Sequence, residues 1–303
     1  MANEKIVVVG PASQLLAMKT AKKLGAETVD CDFKTFPDGE TYLRIKLDSE
    51  EQMADKEVVI IQSTGKSTRG DQNKHIIQLF NMISACKRMK PAKIKVVIPY
   101  LAYARQDKVF RPGECLFAQT LLKMIEDAGA DEIFVIDVHA PEALEILSIP
   151  YHNLDPMKAL ADYMKNSLDI KNPIVVSPDK GAVERSSAFA RHFGDDVRVE
   201  VFSKERDVVT GDIKMTGELK VKDKDVIIAD DIIATGGTMS KAIKISKSSG
   251  ARTVYAVGTH PLMIKNAVTR IMDAGTNVIV GTDTIENPVP LVTMADLIAE
   301  AIE

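Results

Sequence analysis

The stretch VIIADDIIATGGT, Val226 to Thr238, sets an apolar run, two adjacent carboxylates and a Thr-Gly-Gly-Thr loop in direct succession. A short unbroken run of branched apolar residues reads as a strand buried on both faces, as in a parallel sheet. The loop that follows opens a helix. Glycines there let backbone N–H groups approach an anion closely, hydroxyls donate further, and the helix start adds its positive end. The two acids, Asp230 and Asp231, can accept hydrogen bonds from vicinal hydroxyls or contact hydrated Mg²⁺. A sugar phosphate satisfies both halves of the stretch.

The same strand-then-helix rhythm extends in both directions. Apolar runs recur at 6–9, 58–61, 94–98 and 133–136, and again at 174–176, 226–229, 254–258 and 278–281. Segments of helical period, such as DQNKHIIQLFNMISACKRM and GECLFAQTLLKMIEDAGA, lie between them. Alternation of this kind predicts an α/β protein whose mostly parallel sheets are flanked by helices. Each half of the 303 residues holds enough strands for its own sheet, with the change of domain expected near IPYHNLDP, 149–156. The expected domains are therefore 1–150 and 151–291, with a C-terminal helix at 292–303 returning to the first. The segment from Glu205 to Asp225 breaks the rhythm and alternates around Thr210-Gly211-Asp212, as a β-hairpin flap does.

Composition removes several classes of function. A net charge of −4 with mixed signs leaves no basic footprint for nucleic acid or anionic lipid. No apolar run approaches the ~20 residues of a membrane span, and no signal segment precedes the first strand, so a cytoplasmic protein is expected. Cys31, Cys86 and Cys115 lack metal-ligand spacing and read as plain thiols.

In open α/β sheets ligands gather at the C-terminal ends of strands, which makes polar clusters just after apolar runs the candidates. Five pass. PYLAYARQDKVFRPGE (99–114) offers Arg105 as a fork for phosphate oxygens and Gln106 as an amide for a base edge, with Asp107 beside them. DVHAPE (137–142) carries His139, and SPDKGAVERSSAFA (177–190) carries Asp179. FPDGE (36–40) reads as a turn, and SKERD brings Lys204 and Arg206 to the hairpin. IQSTGKSTRGD (61–71) invites a P-loop reading, but the glycine required five residues before Gly65 is Ile60, so Lys66 is set aside.

Acid-acid followed by Thr-Gly-Gly-Thr resembles the phosphoribosyl loop of type I phosphoribosyltransferases and of ribose-phosphate diphosphokinases. FPDGE, ARQD, DVHAPE and SKERD resemble the diphosphokinases alone, in family order along nearly the whole chain. The resemblance implies two similar type I phosphoribosyltransferase-type domains and the reaction ATP + ribose 5-phosphate → AMP + phosphoribosyl pyrophosphate. It implies ATP at Phe36, Asp38, Glu40, Arg105, Gln106 and Asp107, and ribose 5-phosphate at Asp230, Asp231, Thr235, Gly236, Gly237 and Thr238. It further implies Mg²⁺ at His139 and Asp179, with His139, Lys204 and Arg206 catalytic. A homo-oligomer, at least a dimer sharing the adenine site across its interface, belongs to the same expectation. Two departures stand out: Ala234 where many members have an acid before the loop, and Ala182 where many have a second glycine. No residue stands out as a general base. The alternatives are a phosphoribosyltransferase and a catalytically inactive regulator of a synthetase.

Overall fold

The computed structural model describes residues 4–178, 181–206, 213–216, 219–289 and 291–303. The chain divides into two units, 1–155 with 284–286 and 293–303, and 156–283 with 287–292.

In the first unit the strands are β1 (Lys5–Val9), β2 (Glu27–Val29), β3 (Cys31–Thr35), β4 (Thr41–Ile45), β5 (Glu57–Ile61), β6 (Lys93–Ile98), β7 (Glu132–Ile136) and β8 (Tyr151–Leu154). Its helices are α1 (Gln14–Leu24), α2 (Gln72–Arg88), α3 (Phe117–Ala128) and the C-terminal helix, Ala295–Ile302. Six strands form one sheet in the order β2-β1-β5-β6-β7-β8, parallel throughout. Val58–Ile61 and Val96–Ile98 are fully buried, as strands covered on both faces must be. β3 and β4 form a separate antiparallel hairpin.

The C-terminal helix is held in this unit by charge as well as by its apolar face. Lys95, buried on β6, donates to the Ile302 carbonyl at 2.9 Å and lies 3.1 Å from Glu57. An ammonium at the carbonyl end of a helix meets the negative end of its dipole, which offsets part of the cost of burying the charge.

The second unit contains α4 (Met157–Ser167), β9 (Pro173–Ser177), α5 (Val183–Phe193), β10 (Val199–Val201), β11 (Ser203–Arg206), β12 (Ile213–Thr216) and β13 (Asp225–Ile232). It continues with α6 (Gly237–Ser248), β14 (Thr253–His260), α7 (Ala267–Asp273), β15 (Val278–Thr282) and β16 (Leu291–Val292). The helix at Ala295–Ile302 is then α8. The sheet order is β10-β9-β13-β14-β15-β16, again parallel throughout. β11 and β12 pair antiparallel, Lys204 opposite Met215 and Arg206 opposite Ile213, beginning at Ser203 rather than Glu205; the expected turn at Thr210-Gly211-Asp212 lies outside the described residues.

Counted within its own sheet, each unit runs second, first, third, fourth, fifth, sixth, with a hairpin inserted after the second strand. Two copies of one backbone plan are therefore present, although no repeat is visible in the sequence. In both, the order reverses between the first and third strands, and that reversal is where a crevice opens at the strand ends. It lies between β1 and β5 in one unit and between β9 and β13 in the other.

Candidate active site

In the second unit the reversal point brings the end of β13 beside the end of β9. Asp230 and Asp231 close β13, and their backbones are braced by their own side chains: Asp230 Oδ1 accepts from Asp231 N at 3.0 Å, and Asp231 Oδ1 from Ile232 N at 2.7 Å. Neighbouring residues on a strand face opposite ways. The two acids accordingly differ. Asp230 is half-buried, whereas Asp231 is 4% exposed, with Arg185 of α5 at 3.8 Å from its Oδ2.

The chain then leaves the sheet under close control. Ile233 N donates to the His260 carbonyl, Met263 N to the Ile233 carbonyl and Ile264 N to the Ala234 carbonyl. Gly236 is the N-cap of α6 with φ 72°, in the left-handed region. A Cβ added there would stand 2.9 Å from Ile271 Cγ1 and 3.2 Å from the Ala267 carbonyl, both on α7. At Gly237 the nearest atoms to such a Cβ are Thr235 Oγ1 at 3.7 Å and Arg270 Nη1 at 3.9 Å. So α7 crowds the loop at Gly236, while at Gly237 it comes only to van der Waals distance, through Arg270. Thr235 and Thr238 are exposed on the same loop. Ser240 N returns to the Gly236 carbonyl at 2.8 Å, which starts the helix and leaves the N–H groups of its first turn for a ligand. Arg270 Nη1 donates to the Thr235 carbonyl at 3.1 Å.

Asp179 lies outside the described residues. Lys204 and Arg206 fall on β11, and only the backbone is described for them.

In the first unit the predicted nucleotide residues sit on two loops. Phe36 to Glu40 turn between β3 and β4, closed by Phe36 N to the Glu40 carbonyl at 2.8 Å and by Asp38 Oδ1 accepting from Glu40 N at 3.2 Å. Gly39 has φ 97°, which the turn requires of a glycine. Phe36 is exposed, meets Tyr42 edge-on at 6.3 Å, and has the Lys34 ammonium 4.7 Å from its ring centre. Arg105, Gln106 and Asp107 are all exposed, after β6.

The run leading into them is fastened by Thr64. Its N–H and hydroxyl both donate to the Tyr100 carbonyl, at 3.0 and 2.8 Å, and its Oγ1 accepts from Ala102 N at 2.8 Å. Tyr103, at φ 67°, donates to Asn73 Oδ1. His139 is exposed after β7, where Asp137 N bonds the Leu154 carbonyl and Val138 N bonds Asn153 Oδ1.

The Gly-Lys-Ser stretch takes part in structure rather than in a P-loop. Ser67 and Gly70 pair through their backbones, Ser67 Oγ lies 2.9 Å from His75 Nε2, and Thr68 N and Oγ1 both donate to Glu286 Oε2. His75 Nδ1 lies 2.8 Å from Gln78 Oε1, and burial holds the imidazole below its ordinary pKa. It is therefore neutral at physiological pH.

Sequence reasoning missed three residues that the fold draws in: Thr64, Arg185 and Arg270. Thr64 follows an apolar run but lies within the stretch IQSTGKSTRGD, whose Gly-Lys-Ser draws attention away from it. The other two lie on helices, where a cation has the signature of a solvated face.

Residues 5–129 match the family described as the N-terminal domain of ribose phosphate pyrophosphokinase, and residues 143–290 match the phosphoribosyl transferase domain. The chain is 40% identical to the ribose-phosphate pyrophosphokinase of Methanosarcina acetivorans, over 98% of this chain and 99% of the relative. It is 35% identical to that of Sulfolobus acidocaldarius, over 96% of this chain and 97% of the relative. The crystal structure of phosphoribosylpyrophosphate synthetase from Mycobacterium smegmatis is similar with a TM-score of 0.84 at 27% identity, covering 99% of this chain and 97% of that one.

Proposed function

The chain belongs to the ribose-phosphate pyrophosphokinase family, and from that premise we propose how its residues divide the work. The protein is an enzyme of phosphoribosyl pyrophosphate synthesis. Its substrates in this reading are ATP and ribose 5-phosphate, and its products AMP and phosphoribosyl pyrophosphate. The observation that carries the sugar-phosphate assignment is the cradle at the end of β13. There an uncrowded Gly237, two exposed hydroxyls and a fresh helix start follow Asp230 and Asp231.

Thr235 to Thr238 hold the 5-phosphate, and the half-buried Asp230 carboxylate receives the ribose hydroxyls. Asp231, tied to Arg185, fixes the end of the strand and the orientation of its neighbour. Phe36 offers a ring face to adenine, Asp38 and Glu40 offer acceptors to its amino group, and Arg105 and Gln106 hold phosphate and base edge, with Asp107 completing the loop. Exposure of Phe36 and Tyr42 on one hairpin supports an adenine site completed by a second copy of the chain, hence at least a dimer.

In the transfer, the C1 hydroxyl oxygen bonds to the β-phosphorus while the bond from that phosphorus to the α,β-bridging oxygen breaks. The electron pair leaves with AMP, and the hydroxyl proton passes to solvent. Lys204 and Arg206, two positions apart on β11, meet the charge that builds on the transferring oxygens. Positioning supplies the rest of the rate enhancement.

The donor set suits Mg²⁺. Among the described residues no three His, Cys, Asp or Glu side chains gather into a metal cage. Mg²⁺ instead prefers one or two carboxylates with waters and substrate phosphates. Asp230 and Asp179 would hold it, with His139 at the metal–ATP unit. When bound, the ion supplies charge compensation along the polyphosphate. No helix among the described residues is long and apolar enough to cross a membrane, and the cytoplasm, where ATP is made available, is the proposed location.

Incubation with ATP, Mg²⁺ and ribose 5-phosphate tests the assignment by chromatography of the nucleotides. AMP appearing only when ribose 5-phosphate is present is expected. ADP as the product overturns it.

A further inference from the structure

Charge around the proposed cradle does not balance on the residues already assigned. The stretch Val226–Thr238 contains two aspartates and no lysine or arginine. A sugar phosphate brings nearly two further negative charges at neutral pH. The start of α6 offers only about half a positive charge. Arg185 lies beside the buried Asp231, 3.8 Å from its carboxylate, so its charge is already matched.

Among the described residues, Arg270 brings a cation to the loop. Ala267, Arg270 and Ile271 share one face of α7, three and four residues apart, and that face is applied to the loop: Ala267 and Ile271 stand behind Gly236, and Arg270 reaches Thr235. The guanidinium spans the loop, bonded to the Thr235 carbonyl at 3.1 Å and 3.9 Å from the space a Cβ on Gly237 would fill. A second N–H reaches Asn266 Oδ1 at 3.5 Å. Arginine carries five N–H donors in a planar fork, so donors remain for an anion in the cradle. Arg270 is exposed, so it meets an incoming phosphate without a conformational change in the core.

We infer that Arg270 is a positioning and affinity residue for the 5-phosphate, tethering the Thr235 carbonyl outward while its charge offsets the phosphate. This rests on the assignment of the cradle to ribose 5-phosphate. In this role Arg270 separates phosphorylated from unphosphorylated sugars, because its contribution depends on the anion.

The test compares Arg270→Met, Arg270→Gln and Arg270→Lys with Lys241→Met. Lys241 is exposed on α6 and makes no hydrogen bond to the loop, so its variant matches the change in net charge alone. Ribose 5-phosphate binding is read by calorimetry at low and high salt, with KM for ATP and the melting temperature alongside. Loss of a charge-assisted contact predicts binding weaker by roughly tenfold or more in Arg270→Met and Arg270→Gln. Arg270→Lys, which keeps the charge without the fork, lies between them and the wild type. Lys241→Met binds as the wild type does, KM for ATP and melting stay unchanged, and the salt dependence of binding shrinks only in the neutral Arg270 variants. Binding at wild-type strength in Arg270→Met overturns the inference, as does an equal loss in Lys241→Met. A wild type that binds no ribose 5-phosphate at all removes the cradle assignment itself, which separates that failure from a failure of Arg270.

Discussion

Replacing Gly236 and Gly237 by alanine, one at a time, should damage two different properties of this enzyme. At Gly236 the backbone sits at φ 72°, and an alanine in the left-handed region costs ~1–2 kcal/mol. Its Cβ would also stand 2.9 Å from Ile271 Cγ1 and 3.2 Å from the Ala267 carbonyl. Ile271 and Ala267 are fully buried, so neither can give way freely, and overpacking of this kind adds about 1–3 kcal/mol. The sum, roughly 2–5 kcal/mol, lowers the melting temperature by on the order of 5–15 °C for a unit of this size. Gly237 is not in the left-handed region, and its Cβ would meet nothing closer than 3.7 Å. Gly237→Ala therefore melts with the wild type. Its methyl group instead occupies space assigned to the 5-phosphate, which raises KM for ribose 5-phosphate by about tenfold or more and leaves KM for ATP alone. Differential scanning fluorimetry and initial rates with each substrate varied measure both effects. Gly236→Ala with wild-type melting refutes the packing argument. Gly237→Ala with wild-type KM for ribose 5-phosphate refutes the placement of the phosphate.

Further expectations concern other parts of the molecule. Thr64→Val removes the hydroxyl that fastens Tyr100 and Ala102 ahead of Arg105; KM for ATP should rise roughly fivefold or more with KM for ribose 5-phosphate unchanged, and Thr64→Ser should restore it. Lys204→Ala should lower kcat by about a hundredfold or more while calorimetry finds ribose 5-phosphate affinity nearly unchanged, and equal losses in both would remove Lys204 from the transferring group. His75 is buried and held neutral, its folded pKa below the unfolded value of about 6.5. The unfolded chain then takes up a proton that the folded one refuses. Its contribution to stability is complete above about pH 6.5 and declines as pH falls through that value toward the folded pKa. Urea midpoints between about pH 5 and 8 should show this slope in the wild type and a flatter one in His75→Asn; identical slopes would exclude His75 as the source.

The class of fold was legible because its eight central strands, β1, β5, β6, β7, β9, β13, β14 and β15, are continuous apolar runs that nothing else explains. The edges were not. β8 is Tyr-His-Asn-Leu and mostly exposed, β10 is a half-buried Val-Glu-Val, and β16 has two residues, so none is a continuous apolar run long enough to mark a strand. The duplication was hidden for a related reason: two sheets of the same strand order need only apolar residues at matching places, and many sequences supply those. At the site, the cradle stood out because its parts are contiguous from Asp230 to Thr238. Arg270 did not, since its approach to Thr235 depends on the packing of α7 and not on spacing along the chain. The difference between Asp230 and Asp231 was equally invisible. Two adjacent acids look equivalent in a sequence, and strand geometry alone sends one toward α5 and Arg185.

The central claim is that a diphosphoryl group moves as a unit from ATP to the C1 oxygen held at the end of β13. Following ATP labelled with ³²P at its β- or its γ-phosphorus, in separate reactions, by radiochromatography of the products with ribose 5-phosphate and Mg²⁺ present tests that claim most directly. Both labels should arrive together on the sugar, one for each AMP released. Retention of the β-label on a released nucleotide as ADP would contradict the account.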